Sequence, residues 1–163
     1  MTENGALHSE LRIRPVEASH IIDLIRIGEE TNLSRWTAQN YLDEMKNTSA
    51  IMLRLVAEDN ATIGFVVGRT VIGGEIDTQF DAEIYNIAID VAQQGNGHGQ
   101  VLFDEFLNIC SALDVKNIWL EVRESNQPAI AFYERNGFSS VQTRNHFYDN
   151  PREHAVLMKL TLE

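Results

Sequence analysis

The stretch that most constrains this chain is Asn86-Ile87-Ala88-Ile89-Asp90-Val91-Ala92-Gln93-Gln94-Gly95-Asn96-Gly97-His98-Gly99-Gln100-Val101-Leu102-Phe103. An apolar run ends at Asp90, a polar loop places glycine at 95, 97 and 99, and a helical pattern follows at once. Glycine serves where φ must be positive or where backbone must come close to a ligand. At a helix start, such a turn aims unpaired N–H groups outward from the positive end of the helix dipole. Strand–loop–helix units of this kind hold anions, most often phosphates. The plainer alternative is a strand-to-helix turn whose glycines serve packing alone. Spacing excludes two phosphate motifs. The dinucleotide fingerprint needs a further glycine where Gln100 or Leu102 stands, and the triphosphate loop needs Gly-Lys-Ser/Thr where Gly99 precedes Gln100 and Val101.

Composition narrows the partners. The 163 residues, 44% apolar and 23% charged, suffice for one domain with its own core, expected to span 1–163 with 1–9 flexible. Thirteen Lys/Arg against 24 Asp/Glu give a net charge of −11. That balance argues against direct nucleic-acid binding, which needs cations on phosphates, and suits a cationic acceptor such as an amine or basic peptide. Cys110 is the one cysteine, so no intrachain disulfide can form and a reducing compartment is expected. Its apolar helical surroundings read as those of a small buried hydrophobe. The five histidines and one cysteine show no metal-ligand spacing, so no metal is expected. No apolar run nears the roughly 18 residues of a membrane span, and Met1–Glu10 has no basic-then-apolar leader. The expectation is a cytoplasmic protein away from membranes. Oligomeric state is not legible.

Periodicity gives the element order. Leu11–Arg14 reads as a short edge strand ending at Pro15. Ala18–Thr31 is a helix with Ser19 as cap, and Thr37 caps a second helix to about Lys46. Ile51–Ala57 and Thr62–Val67 form a hairpin about Asp59-Asn60, Gly73–Gln79 is a polar loop, and Glu83–Ile89 delivers the chain into the glycine loop. Gly99 to about Leu113 is a helix burying Leu102, Phe103, Phe106, Leu107 and Cys110. Asn117–Arg123 is a strand, Pro128 and Gly137 bracket a helix, and Phe138–Phe147 and His154–Leu162 close the chain as strands. The sum is an α/β (α+β) chain, a mixed sheet with helices on both faces.

The pattern Gln94-x-x-Gly97-x-Gly99 resembles the pyrophosphate loop of the GNAT N-acetyltransferase superfamily, and the element order resembles that fold from Leu11 onward, which implies a central mixed, mostly antiparallel sheet with helices on both faces. A second cluster is more specific. Leu120-Glu121-Val122-Arg123, Ser125-Asn126, Ala129-Ile130-Ala131-x-Tyr133 and Asn136-Gly137-Phe138 closely resemble the bacterial ribosomal-protein alanine N-acetyltransferases. Asn86–Asp90, Arg144-Asn145, Arg152-Glu153-x-Ala155 and Trp36 before a helix agree with the same family.

From the residues alone, Glu121 interrupts an apolar run, on a strand face shared with Trp119 and Arg123. It is either a general base with a raised pKa or half of a Glu121–Arg123 surface pair. Tyr133 reads as a core aromatic with a polar tip, and Asn126 as a cap or turn residue. The resemblance implies more: Glu121 as catalytic base, Tyr133 as the acid protonating the leaving thiolate, and Asn126 as a coenzyme contact. It further implies acetyl-CoA as co-substrate, held by Gly95, Asn96, Gly97, His98, Gly99 and Gln100, with backbone N–H groups of Ile87, Ala88 and Ile89 at the oxyanion. The acceptor implied is a protein N-terminus, the N-terminal alanine of a small-subunit ribosomal protein, attacked directly in a ternary complex. Rival readings are a small-molecule amine acetyltransferase (polyamine, amino acid or antibiotic) and a non-catalytic acyl-CoA-binding module. Four features depart from the family, one being His98 at a position normally apolar. Neither Gly95 nor Gln100 is basic, so the loop relies on backbone N–H groups; Gly73–Gln79 is longer; and His146-Phe147-Tyr148 replaces Tyr-Tyr-Pro.

Overall fold

The computed structural model describes residues 10–33, 35–73 and 79–163. The expected flexible segment 1–9, and residues 74–78 of the polar loop, lie outside them. The elements run β1 (Arg12–Pro15), α1 (Ile21–Glu30), α2 (Ala38–Met45), β2 (Ala50–Val56), β3 (Thr62–Ile72), β4 (Phe80–Ile89), α3 (His98–Ala112), β5 (Val115–Arg123), α4 (Gln127–Arg135), β6 (Ser139–Tyr148) and β7 (Glu153–Thr161). The strands form one sheet in the order β1-β2-β3-β4-β5-β7-β6. Every neighbouring pair is antiparallel except β4–β5. The mixed sheet read from the element order, mostly antiparallel as the resemblance implies, is therefore the sheet found, with β1 at its edge.

Local chemistry sets the boundaries. The Thr37 hydroxyl accepts the Asn40 N–H at 3.2 Å while the Asn40 side chain accepts the Thr37 N–H at 2.8 Å, a capping box that starts α2. Asn126 accepts the Ala129 N–H at 3.3 Å to start α4, and Gly137, at φ +92°, stops it. Ser19 is not a cap. It lies in a short 3-10 turn, Ala18–His20, before α1, where the His20 ring accepts the Glu17 N–H instead.

Two apolar layers flank the sheet. Leu24, Ile27, Tyr41, Phe65 and Val67 pack on the α1–α2 side, while Leu102, Phe103, Phe106, Ile118, Leu120 and Met158 pack on the α3–α4 side. Cys110 is fully buried there, and burial pushes its thiol up to about 12, so it stays an inert hydrophobe. Among the described residues no helix is long and apolar enough to cross a membrane.

Two irregularities shape the middle of the sheet. Val67 of β3 lies opposite Asn86 and Gly68 opposite Ile84, so Tyr85 bulges out of the β3–β4 ladder. Gly68 is required opposite the bulge, because a Cβ there would stand 2.8 Å from the Phe106 ring. The parallel pairing of β4 with β5 runs only from Phe80–Val115 to Ile84–Leu120. Beyond that point the strands part, and alternate backbone groups of residues 85–89 face a gap with no strand partner on that side.

Candidate active site

The gap between β4 and β5 is a cleft of about 80 Å³ whose walls include Tyr85, Asn86 and Ile87 on β4, Glu121 and Arg123 on β5, and Asn126 and Tyr133 from α4. Four of the residues singled out in the sequence (Ile87, Glu121, Asn126 and Tyr133) thus meet at one place. A second cavity, about 380 Å³, is lined by Ile89, Gln93, Gln94, Gly95, Gly97, His98, Gly99, Gln100, Phe132 and Arg135. Both are walled by the same two elements: β4 contributes Ile87 to one and Ile89 to the other, and α4 contributes Tyr133 and Phe132.

The loop is built for an anion. Gly95 and Gly97 hold φ of +82° and +78°, and a Cβ at either would meet nothing within 4 Å. Gly97 is the N-cap of the 15-residue α3, with no side chain capping its first turn, so those N–H groups stay open to a ligand. The loop base is pinned by Asp90, which accepts the Ala92 N–H at 3.0 Å and pairs with Arg26 of α1 at 3.0 Å. This is a fit for the diphosphate of acetyl-CoA. Three residues named from the sequence have side chains engaged within the protein. The Asn96 side chain folds back onto the Gln93 carbonyl at 3.2 Å. Ala88 is buried on the α1–α2 side. Gln100 exchanges reciprocal amide hydrogen bonds with Asn136, at 2.7 and 3.1 Å, and so ties α3 to α4.

Sequence reasoning missed Arg135. It follows Tyr133 by two positions in the last turn of α4, where a basic residue reads as an ordinary solvated charge. The fold brings it to the glycine loop and supplies the cation the loop itself lacks.

Glu121 is not paired with Arg123. Its ionic partner is Arg144 of β6, at 3.0 Å. Burial raises the Glu121 carboxyl above its ordinary range; Arg144 opposes that rise and Glu83 adds to it. Arg123 is occupied elsewhere. It stacks 4.4 Å over the Tyr148 ring, donates to the carbonyls of Pro151 and Asp149, and meets Glu153 at 3.4 Å. Tyr133 is the core aromatic its spacing suggests, its ring packed edge-on to Phe132 and Phe138 at 5.5 and 5.4 Å, and it also lines the cleft. Burial raises its hydroxyl well above the usual range, which keeps it protonated.

A third cavity, about 530 Å³, opens beside Glu121 and is lined by Trp36, Asp81, Glu83, Tyr85, Trp119, Glu121, Arg144, Phe147 and Tyr148 among others. Tyr85 donates to Glu83 at 2.7 Å, and the Trp119 indole donates to Asp81 at 2.9 Å. The Trp36 ring sits 5.6 Å from that of Tyr85. Carboxylates and aromatic faces together suit a cationic guest. Among the described residues no group of His, Cys, Asp and Glu could hold a metal.

Comparisons agree with this geometry. The Acetyltransferase (GNAT) family profile matches residues 20–138. A [Ribosomal protein bS18]-alanine N-acetyltransferase of Haemophilus influenzae is 34% identical over 152 residues, 90% of this chain and 95% of the relative. The protein of the same description from Haemophilus ducreyi is 30% identical over 142 residues, 85% of this chain and 92% of the relative. Among solved structures, Ard1 from Thermoplasma volcanium superposes with a TM-score of 0.81 at 26% identity, covering 94% of this chain and 99% of that one. A ribosomal-protein-alanine N-acetyltransferase from Escherichia coli gives 0.81 at 24% identity, over 94% and 95%, and shares the fold. With a profile match over most of its length and relatives at 30% identity or more, the chain belongs to the GNAT acetyltransferases, the acetyl-CoA-dependent N-acetyltransferase family.

Proposed function

We propose that this protein acetylates the α-amino group of a protein N-terminus, with the N-terminal alanine of ribosomal protein bS18 as acceptor, and that the whole chain is one cytoplasmic acetyltransferase domain. The observation that carries the reading is the convergence of Glu121, Tyr133 and the parted edge of β4 on one cleft, beside a cavity lined with carboxylates and aromatics. Relatives described as alanine N-acetyltransferases, which align over most of both chains, support the choice of acceptor.

Each role follows from the residues. Bound acetyl-CoA supplies an activated acetyl thioester. The glycine loop, with Arg135, holds its diphosphate and the strand gap receives the arm. Glu121, directly or through a water, takes a proton from the acceptor amine as it attacks the thioester carbonyl. Backbone N–H groups on the free edge of residues 87–89 stabilise the charge on that carbonyl oxygen. The buried, protonated Tyr133 donates its O–H to the departing sulfur. An α-amine, with a pKa near 7.8, costs about 1 kcal/mol to deprotonate at pH 7, against about 4.6 for a lysine near 10.4. One carboxylate base therefore serves an N-terminus more easily than a lysine side chain.

The test is thiol release from acetyl-CoA with an alanine-initiated hexapeptide, alongside spermidine and free amino acids, with mass spectrometry locating the acetyl group. Acetylation confined to the peptide α-amine is the expected result. Turnover of the free amines alone would move the function to small-molecule modification, and coenzyme binding with no turnover would make the protein a binding module.

A further inference from the structure

Arg144 belongs to β6, the strand at the far edge of the sheet, yet its guanidinium ends 3.0 Å from the Glu121 carboxylate on β5. Arg144, Ala155 and Arg123 are cross-strand neighbours in one row, and Leu157 and Glu121 are paired in the next. The Arg144 side chain therefore slants across β7 from its own row to that of Glu121. Its path also brings it 5.8 Å from the centroid of Phe147, a wall of the cavity beside Glu121.

The surroundings make this cation necessary. Glu121 shares its face with Trp119 and Leu157, and Glu83 on β4 faces the same cavity with like charge. Burial and Glu83 both favour the neutral acid. The other ionisable groups near this face are otherwise engaged. Tyr85 donates to Glu83 and Asp81 accepts from Trp119. Lys159 of β7 sits over the Trp119 ring at 5.4 Å, and Arg123 is stacked on Tyr148. Among the described residues Arg144 is the cation paired with Glu121.

Resting on the assignment of Glu121 as the base, we propose that Arg144 is a positioning residue for acetyl transfer: it keeps the Glu121 carboxylate ionised and holds it at the cleft beside the cavity that receives the acceptor. It touches neither substrate nor coenzyme in this role. It acts through Glu121. A neutral acid at position 121 could not accept the amine proton, so losing the cation removes the base from a fraction of molecules that grows as pH falls.

The experiment is a carbon-13 carboxyl titration by NMR of glutamate-labelled enzyme in wild type, Arg144→Gln and Arg144→Lys. The Glu121 resonance is assigned by its loss in Glu121→Gln. Arg144→Gln should raise the Glu121 midpoint by roughly one pH unit, the low end for losing an adjacent opposite charge. Arg144→Lys should restore most of it. Peptide turnover by Arg144→Gln should fall most at low pH and recover toward wild type at high pH, with the acetyl-CoA KM unchanged. Arg144 is half exposed, so the glutamine variant should keep its circular dichroism spectrum. An unmoved midpoint overturns the proposal, as does a moved midpoint with turnover unchanged at every pH. If Glu121→Gln leaves kcat intact, the base assignment itself fails and this proposal with it. The two failures are thereby kept apart.

Discussion

The cavity at the glycine loop and the cavity beside Glu121 border the same strand, β4, but are made of different material. The first is lined by a loop with glycine at 95, 97 and 99, the open start of α3 and one cation, Arg135. The second is lined by residues of β3 to β7 and the segment before α2, including Trp36, Glu83, Tyr85, Glu121, Arg144 and Phe147. A backbone-built site depends on φ and tolerates exchange of its polar side chains. A side-chain-built site depends on residue identity and can change its guest by substitution. The loop carries glycine at 95, 97 and 99 and no Lys or Arg from 95 to 100; the acceptor side is walled by Phe147 and Tyr148 among its side chains.

The largest effect expected on the side-chain-built side is at Glu121. Glu121→Gln keeps shape and removes the base, so kcat should fall by about a hundredfold or more while acetyl-CoA affinity holds, as measured by steady-state kinetics and calorimetry. Burial raises this carboxyl in the folded state, so its ionised form is disfavoured by folding. The stability it contributes is complete below its ordinary pKa and is lost as pH rises through the raised folded value. The glutamine variant should therefore unfold at neutral pH at the wild-type temperature or slightly above. Activity runs the other way with pH, because only the carboxylate can accept the proton. A Glu121→Gln enzyme with full kcat would erase the contrast between the two cavities.

On the backbone-built side the sensitive position is Gly97. Any L-residue held at φ +78° is strained by roughly 1–2 kcal/mol, so Gly97→Ala should weaken acetyl-CoA binding by about tenfold. The added Cβ would meet nothing within 4 Å, so the loss comes from conformation and not from a clash inside the protein. Gly99→Ala is the control. It has no positive φ, and its Cβ would lie 3.8 Å from Ile89, ordinary contact. If the two variants bind acetyl-CoA equally, the loop is not working through its φ angles.

What could be read from the chain follows the same division. Helices and strands announced themselves through apolar spacing: Leu24 and Ile27 on α1, or Leu102, Phe103 and Phe106 on α3. The loop was legible because glycine at 95 and 97 marks positive φ directly. The Tyr85 bulge was not, since a one-residue slip between strands is invisible until Val67 and Gly68 are seen opposite Asn86 and Ile84. The partner of Glu121 was not legible either. Arg123 is nearer in sequence and on the same strand face, but Tyr148, Glu153 and two carbonyls hold it, and Arg144 arrives from a strand two places away in the sheet. Long-range pairing decides such contacts, and periodicity carries no record of it.

A moderate effect on the acceptor side would sharpen the comparison further. Phe147 is half exposed and walls the cavity beside Glu121, so Phe147→Ala should raise the peptide KM severalfold, a contact loss of about 1 kcal/mol, and leave the acetyl-CoA KM alone. A parallel rise in both constants would mean that the two cavities are not separable.

The smallest effect tests the one side chain that gives the loop cavity a charge. Arg135 is exposed in the last turn of α4, and its neighbour Asn136 is held by reciprocal bonds to Gln100, which keeps that turn against the start of α3. A phosphate at the loop would meet the Arg135 cation across solvent, where an exposed pair is worth only about 0.2–1 kcal/mol. Arg135→Gln should therefore raise the acetyl-CoA KM about two- to fivefold at low ionic strength, and Arg135→Lys should recover most of that, since a charge is all the position supplies. Raising salt to about 1 M shortens the screening length to roughly 3 Å, so the gap between wild type and Arg135→Gln should close. A gap that stayed open in high salt would show that Arg135 works through packing at the end of α4. The glycine loop would then be an anion site of backbone alone, and the contrast with the acceptor cavity sharper still.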